Sequence, residues 1–301
     1  MTKENQNMNH SDSNDHPAGC PMGWGTEGPS VFGKLDLDYN TYLRIPDLLQ
    51  LQHPLSDPPH HDEMLFIIIH QTYELWFKLI LGEIEKSMLR MSEKRILPAR
   101  NLLNRTVEIL RLLVGQIHIL ETMTPQDFLQ FRDGLFPASG FQSLQFRELE
   151  FLAGAKDERY LKHFEKDPVM YEALKKRQSE PDLRGAYYEL LRNLGFPLPD
   201  NTERNHIENS ESDREKLLMA LRPIYSQSES HLPLYLLTES LIEFDEYLGL
   251  WRYHHVRVVE RIIGYKRGSG GSSGVGYLLT TTDKRCFPSL WEVRTYLEKQ
   301  T

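Results

Sequence analysis

Two histidines carry most of the chemical interest in this 301-residue chain: His70 in MLFIIIHQTYELWF and His255 in LGLWRYHHVRVVERII. Imidazole titrates near neutrality and is the commonest metal ligand. A single histidine on an apolar helix face is more often a satisfied core residue than a ligand. Two on separate long helices, each flanked by aromatics, also match the way a helical bundle holds a flat metal-bearing cofactor, with one imidazole ligating and the other across the pocket. Arg132 follows Phe128 and Phe131 and precedes a Ser-Gly-Phe turn. Either its stem packs on rings while its head reaches water, or its fork clamps a carboxylate. The segment GYKRGSGGSSGVG, 264–276, has six glycines in thirteen residues, with Lys266 and Arg267 at its entrance. It could fold over a small anion or serve as a flexible linker. It lacks the G-x-G-x-x-G spacing, because Ser273 stands where the third glycine belongs, and it lacks the P-loop ending; HExxH is absent throughout.

The elements that must position these residues read as helices. Phe244, Leu248, Trp251, His255, Val258, Val259 and Ile262 recur at spacings of three and four, which places them on one face of a single long helix starting near His231. A second helix is expected from about His60 to Ser92, with Ser56, Asp57 and Asp62 as candidate caps, and buried in its first half, where apolar residues fall on nearly every side. On it, Phe66, His70, Tyr73 and Phe77 form an aromatic face, and Glu74 and Lys78 form an i, i+4 ion pair. Leu97 to Met123 continues in helical period, with His118 a candidate core residue. Thr124 and Pro125 mark a further helix start. His254 is expected to be solvated beside Arg257 and Arg261; Tyr277 to Thr282 reads as a short strand or loop, and Pro288 to Lys299 as a closing helix. Strand signals are scarce. The fold class is all-α, a helical bundle with long buried helices.

Composition narrows the function classes. A formal charge of −8 and a pI near 5.9 argue against nucleic-acid binding, since no basic excess exists to neutralise phosphates. Cys20 and Cys286 are the two cysteines, too few for a disulfide framework. The N-terminal stretch has no apolar core of a secretory signal, and the run MLFIII is far short of the ~20 apolar residues a spanning helix needs. A cytoplasmic location is expected. Residues 1–33 read as a disordered tail containing Cys20-Pro21, a dipeptide seen in some haem-responsive segments, and 34–301 as one helical domain.

Three separate segments resemble the tryptophan 2,3-dioxygenase family: YLRIPDLLQLQHPLSDPPHHDEMLFIIIHQTYELWFKLI, FRDGLFPASGFQSLQFRELEFLAG and LWRYHHVRVVERIIGYKRGSGGSSGVGYL. The resemblance runs from about Tyr39 to the C-terminus and is weaker over 157–228. It implies an all-helical fold around haem b and cleavage of the indole C2–C3 bond of L-tryptophan by O2, giving N-formylkynurenine. By matching motif, His255 resembles the proximal iron ligand and His70 the distal histidine facing the indole N–H. Phe66 and Phe128 resemble residues around the indole, Arg132 the carboxylate clamp, and Ser139 a residue at the haem edge. Tyr39, Tyr42 and Leu43 resemble the segment that completes a neighbouring subunit's pocket in a homotetramer. One position departs: Ser269 stands where the family usually has Thr in its GTGGSSG loop, which keeps the hydroxyl and loses the stiff χ1 of a β-branched side chain. Three other readings compete. They are a haem enzyme acting on a modified indole, a haem-dependent sensor without turnover, and a structural bundle with incidental core histidines.

Overall fold

The computed structural model describes residues 37–199, 211–266 and 274–299. The tail up to residue 33, Ser269 and most of the glycine loop lie outside these residues. Every regular element among the described residues is helical, as the spacing of apolar residues predicts. The chain divides into two compact units, Met1–Leu51 and Gln52–Thr301. In the first, α1 (Tyr39–Leu43) is capped by Asp38, which accepts from Thr41 N, and α2 (Ile45–Leu48) follows with Pro46 in its first turn. Tyr39, Tyr42 and Leu43 are all exposed there.

The second unit is organised around three long helices: α3 (His61–Ser92), α4 (Ile96–Leu120) and α10 (Leu232–Ile263). Helix α4 packs along both of the others. Leu103, Leu110, Leu113 and Ile117 recur on its buried faces at spacings of three, four and seven, so one amphipathic helix serves as the backing for two. Between them come α5 (Pro125–Arg132), α6 (Leu144–Leu152), α7 (Pro168–Ser179), α8 (Leu183–Asn193) and α9 (Glu211–Ser226). Helices α6 and α8 lie against α3, and α5 touches both α3 and α10. After the glycine loop, α11 (Val275–Leu279) packs on α10, and α12 (Pro288–Glu292) runs into a single turn of 3-10 helix over Val293–Tyr296.

The helix starts follow local chemistry. Thr124 forms a reciprocal capping box with Asp127, with Pro125 at the first helical position, as expected. Helix α3 is capped by the His60 imidazole, whose Nδ1 accepts from Asp62 N at 3.2 Å; none of the three expected residues fills that place. Ser56 instead donates to Glu63 at 2.5 Å and accepts from His60 N, so it is spent on folding the loop back onto the helix. The carboxylate of Glu63, buried in the first turn, also takes the backbone N–H groups of Leu55 and Ser56.

Several expectations are corrected. Met64, Ile68, Leu75 and Leu79 leave an exposed apolar stripe along α3, because α4, α6 and α8 cover only its other sides. That helix is long and apolar enough by length and composition to cross a membrane, which the short MLFIII run had not suggested. Lys78 does not pair with Glu74, whose oxygens are taken by α6. His118 is exposed and binds Glu121 at 3.0 Å, and His254 stands against it at 5.3 Å between ring centroids. Val275–Leu279 is helix and not strand, since Gly274 at φ 67° turns the chain directly into a helical start. The closing helix is shorter than Pro288 to Lys299.

Buried carboxylates make the unit acid-sensitive. Burial alone would raise the pKa of Glu63, but the donors from Leu55 and Ser56 outweigh it and hold the group below its ordinary 4.5. Glu150 is fully enclosed, and Arg147, Arg252 and Lys284 likewise overcome its burial and lower it. Groups depressed in the folded chain bind fewer protons there than in the unfolded one, so their contribution is present above about pH 4.5 and is lost as the pH falls below it. The two buried-neutral histidines, His70 and His255, already make the thermal midpoint decline below about pH 6.5, and the carboxylates are expected to steepen that decline below about 4.5. Substituting Glu63→Gln should flatten only the part below about pH 4.5; a variant profile parallel to the parent's throughout would contradict this assignment.

Candidate active site

The backbones of α3 and α10 stand apart, and aromatic side chains fill the gap. Trp251 on α10 meets Tyr73 and Phe77 of α3 edge-on at 5.9 and 6.0 Å, and Phe146 of α6 lies 4.6 Å from it. One turn along α10, His255 stacks parallel on Trp251, with centroids 5.3 Å apart and planes within 4°. The i, i+4 spacing makes that stack possible, because both side chains leave the same helical face. No described residue hydrogen-bonds the His255 ring. Burial, the neighbouring His70 and the Arg147 guanidinium push its pKa down to about 4. At neutral pH the imidazole therefore keeps a free lone pair, the state a metal requires.

One turn before Tyr73 on the same side of α3 stands His70. Its Nδ1 lies 2.7 Å from the carbonyl of Phe66. A carbonyl only accepts, so Nδ1 carries the proton and Nε2 is left as an acceptor in the neutral ring. Burial lowers the His70 pKa against opposing effects of the Phe66 bond and Glu74, which keeps the ring neutral. Yet the His70 side chain retains accessible surface, and His255 is only partly covered. Both rings are thus closely surrounded by protein atoms while His70 remains exposed and His255 partly so. The two imidazoles lie near enough to interact electrostatically.

Beside His70, Phe66 is the centre of a cluster of rings. Phe66 lies 4.1 Å from His70, Phe128 and Phe131 of α5 lie 5.7 and 5.9 Å from Phe66, and His60 stands 5.8 Å from Phe131. Arg132, half-buried, ends α5 immediately after Phe131. Thus His70, Phe66 and Phe128 come together on α3 and α5, Arg132 follows Phe131 at the end of α5, and His255 on α10 lies within electrostatic range of His70. Ser139 caps a 3-10 turn over Gly140–Gln142, accepting from Phe141 N at 3.4 Å, in the connection between α5 and α6. Tyr39, Tyr42 and Leu43 sit in the other compact unit, and Ser269 falls outside the described residues.

Residue patterns also passed over several contributors. Trp251 as the platform for His255, Phe131 and His60 as walls, and Glu74 as an inter-helix anchor were not singled out as site residues. For Trp251 and Glu74 a signal existed, because each lies four residues from a histidine.

The residues present fit a planar iron cofactor. His255 offers a neutral imidazole that no described residue hydrogen-bonds, a second neutral imidazole lies within electrostatic range beside Phe66, and no cluster of three or more metal-binding side chains competes for an ion among the described residues. Sequence comparison points the same way. A family profile described as tryptophan 2,3-dioxygenase matches residues 27–212 and 200–297. A protein of that name from Nocardioides sp. (strain ATCC BAA-499 / JS614) is 46% identical over 266 residues, 87% of this chain and 95% of the relative. Proteins of the same name from Myxococcus xanthus (strain DK1622) and Xanthomonas euvesicatoria pv. vesicatoria (strain 85-10) are each 40% identical over 259 residues, which is 86% of this chain and 89% and 87% of theirs.

Proposed function

The chain belongs to the tryptophan 2,3-dioxygenase family, and on that premise we propose that it opens the indole C2–C3 bond of L-tryptophan with O2, giving N-formylkynurenine, in the cleft between α3 and α10. The observation that carries the reading is the pair of imidazoles brought close from separate helices, His70 against Phe66 and His255 stacked on Trp251. His255 would hold the iron of one haem b per subunit, and Ser139 would lie at the edge of the ring. When bound, haem supplies the iron that takes up O2.

The chain's own residues bind, orient and shield the amino acid. Phe66 and Phe128 provide the apolar walls for the indole. The bare Nε2 of His70, set by the Nδ1 bond to Phe66, accepts the indole N–H and fixes the ring's rotation. Arg132 pairs with the substrate carboxylate, while the Ser269 hydroxyl and the glycine loop take the ammonium end. Excluding water from the filled site strengthens both charged contacts. Indole is electron-rich, so His70 orients without having to act as a strong base. A modified-indole enzyme, a sensor and a purely structural bundle have no observation in their favour.

The exposed stripe of Met64, Ile68, Leu75 and Leu79 supports self-association, and a homotetramer in which Tyr39, Tyr42 and Leu43 complete a neighbour's pocket is part of this reading. Cys286, a free buried thiol, fits a cytosolic enzyme.

The test is turnover of purified, haem-loaded protein with L-tryptophan and O2, followed by product absorbance; no N-formylkynurenine would sink the proposal. Within it, His70→Ala should keep haem and lower kcat about tenfold, the scale of one orienting hydrogen bond. Loss of haem from that variant would contradict the division of labour between the two histidines.

A further inference from the structure

Helix α6 contacts both histidine-bearing helices through ionic anchors placed about one turn from each histidine. On the distal side, Glu74 follows His70 by four residues on the same face of α3. Its Oε1 accepts from Ser143 Oγ at 2.6 Å and its Oε2 from Gln145 Nε2 at 2.8 Å, and the same amide nitrogen donates to the Glu74 backbone carbonyl at 2.9 Å. Ser143 is also the N-cap of α6, accepting from Phe146 N, so the tie reaches the helix end itself.

On the proximal side, Glu150 near the far end of α6 is 1% exposed and takes both Nε and Nη2 of Arg252, at 3.2 and 2.8 Å. Arg252 precedes His255 by three residues on α10 and is 2% exposed. Arg147 donates to the other Glu150 oxygen at 2.5 Å and lies over the ring of Tyr160 at 4.2 Å. Between the two anchors, Phe146 wedges against Phe77 of α3 at 5.5 Å and Trp251 of α10 at 4.6 Å.

A buried carboxylate gripped by two guanidinium groups adds little net stability over an apolar core, but it fixes direction, because Arg252 holds one carboxylate oxygen through Nε and Nη2 while Arg147 holds the other. Neither anchor belongs to the cleft, and the chemistry uses neither. We infer that α6 is the strut that sets the separation and register of the two imidazoles, with Glu74 a positioning residue for His70 and the Glu150–Arg252 pair a positioning device for His255. The inference rests on the functional reading for the roles of the two histidines, although the geometry of the strut does not.

The test uses the full-length, haem-loaded protein carrying Glu74→Ala, Gln145→Ala, both together, or Arg252→Lys, which keeps the charge and loses the fork. Glu74→Ala and Gln145→Ala should each raise KM for L-tryptophan about tenfold with an unchanged haem spectrum, a fraction of the loss that an ångström of misplacement can cause. Glu74→Ala removes the side-chain ties to both Ser143 and Gln145 and Gln145→Ala only one of them, so the double variant should fall well short of the sum of the singles. Arg252→Lys should do the reverse, shifting the iron–histidine stretch in the resonance Raman spectrum while KM holds. Additive effects, or loss on both sides of the cleft in every variant, would reduce α6 to an ordinary packing helix and overturn the inference.

A haem-independent measurement separates this from the functional reading. Spin labels on Lys78→Cys and Arg257→Cys, both exposed positions, report the spacing of α3 and α10 in a Cys20→Ser background. The distance distribution should broaden in all the anchor variants, and an unaltered width would overturn the strut whether or not the parent turns over tryptophan. A parent without haem or product, but with the broadening seen in the variants, would sink the functional reading and leave the strut standing.

Discussion

Replacing His255 by alanine is expected to give a folded protein that no longer retains haem and loses more than about a hundredfold in turnover. The scale is set by supporting residues of metal sites, whose loss alone costs ~10–100-fold, and His255 would be the ligand itself. Helix α10 should survive the change. Its hold on the core comes from Phe244, Leu248, Val258 and Ile262, all buried, and alanine is the best helix former. Thermal unfolding of the haem-free forms should then differ little between variant and parent, while titration with haem shows a Soret band only in the parent. Because the vacated space lies against the flat face of Trp251, added imidazole should partly restore the band. A variant that binds a full complement of haem with an unmoved Soret band would remove His255 from the ligand role.

The second large effect is expected at Arg132. Exchanging it for leucine should raise KM for L-tryptophan about a hundredfold while leaving kcat within a few fold, since a charge-assisted bond to a carboxylate contributes ~1.5–3 kcal/mol. A substrate analogue sharpens the test. Tryptamine carries the indole and the ammonium without the carboxylate, so the parent should discriminate strongly between tryptophan and tryptamine. That discrimination should collapse in the variant, whose apolar walls of Phe66 and Phe128 are untouched. An unchanged KM for tryptophan, or undiminished discrimination, would show that the guanidinium at the end of α5 serves packing alone.

Helical periodicity made most of the second unit legible from the chain alone. The stripe from Phe244 to Ile262, the long apolar pattern after His60 and the Thr124-Pro125 start are local features, governed by residues three and four positions apart, and each is found as read. The histidines could be singled out the same way, because an imidazole among apolar neighbours contrasts with its own helix face. What they do could not be read locally. Whether His70 and His255 come near one another depends on how α4 backs both helices and on how far α6 holds them apart, through contacts such as Glu150 with Arg252 that span 102 residues of chain.

The same reason explains the misreadings. Glu74 and Lys78 have ideal i, i+4 spacing, yet a carboxylate facing α6 gains two directional donors, Ser143 and Gln145, that no helical rule anticipates. His118 looked like core because its helix is mostly buried, but its own face turns to solvent. Apolar pattern says that a helix must bury a side, and only the neighbours decide which residues remain outside, as Leu75 and Leu79 do. The sequence by itself therefore determined the helices, the two imidazoles and, through motif, the family. The tertiary packing decided that the pKa of both rings is pushed down and that Phe128 and Phe131 close on Phe66, because these depend on enclosure that distant segments bring, whereas the carbonyl that leaves Nε2 of His70 free to accept lies one turn back on the same helix.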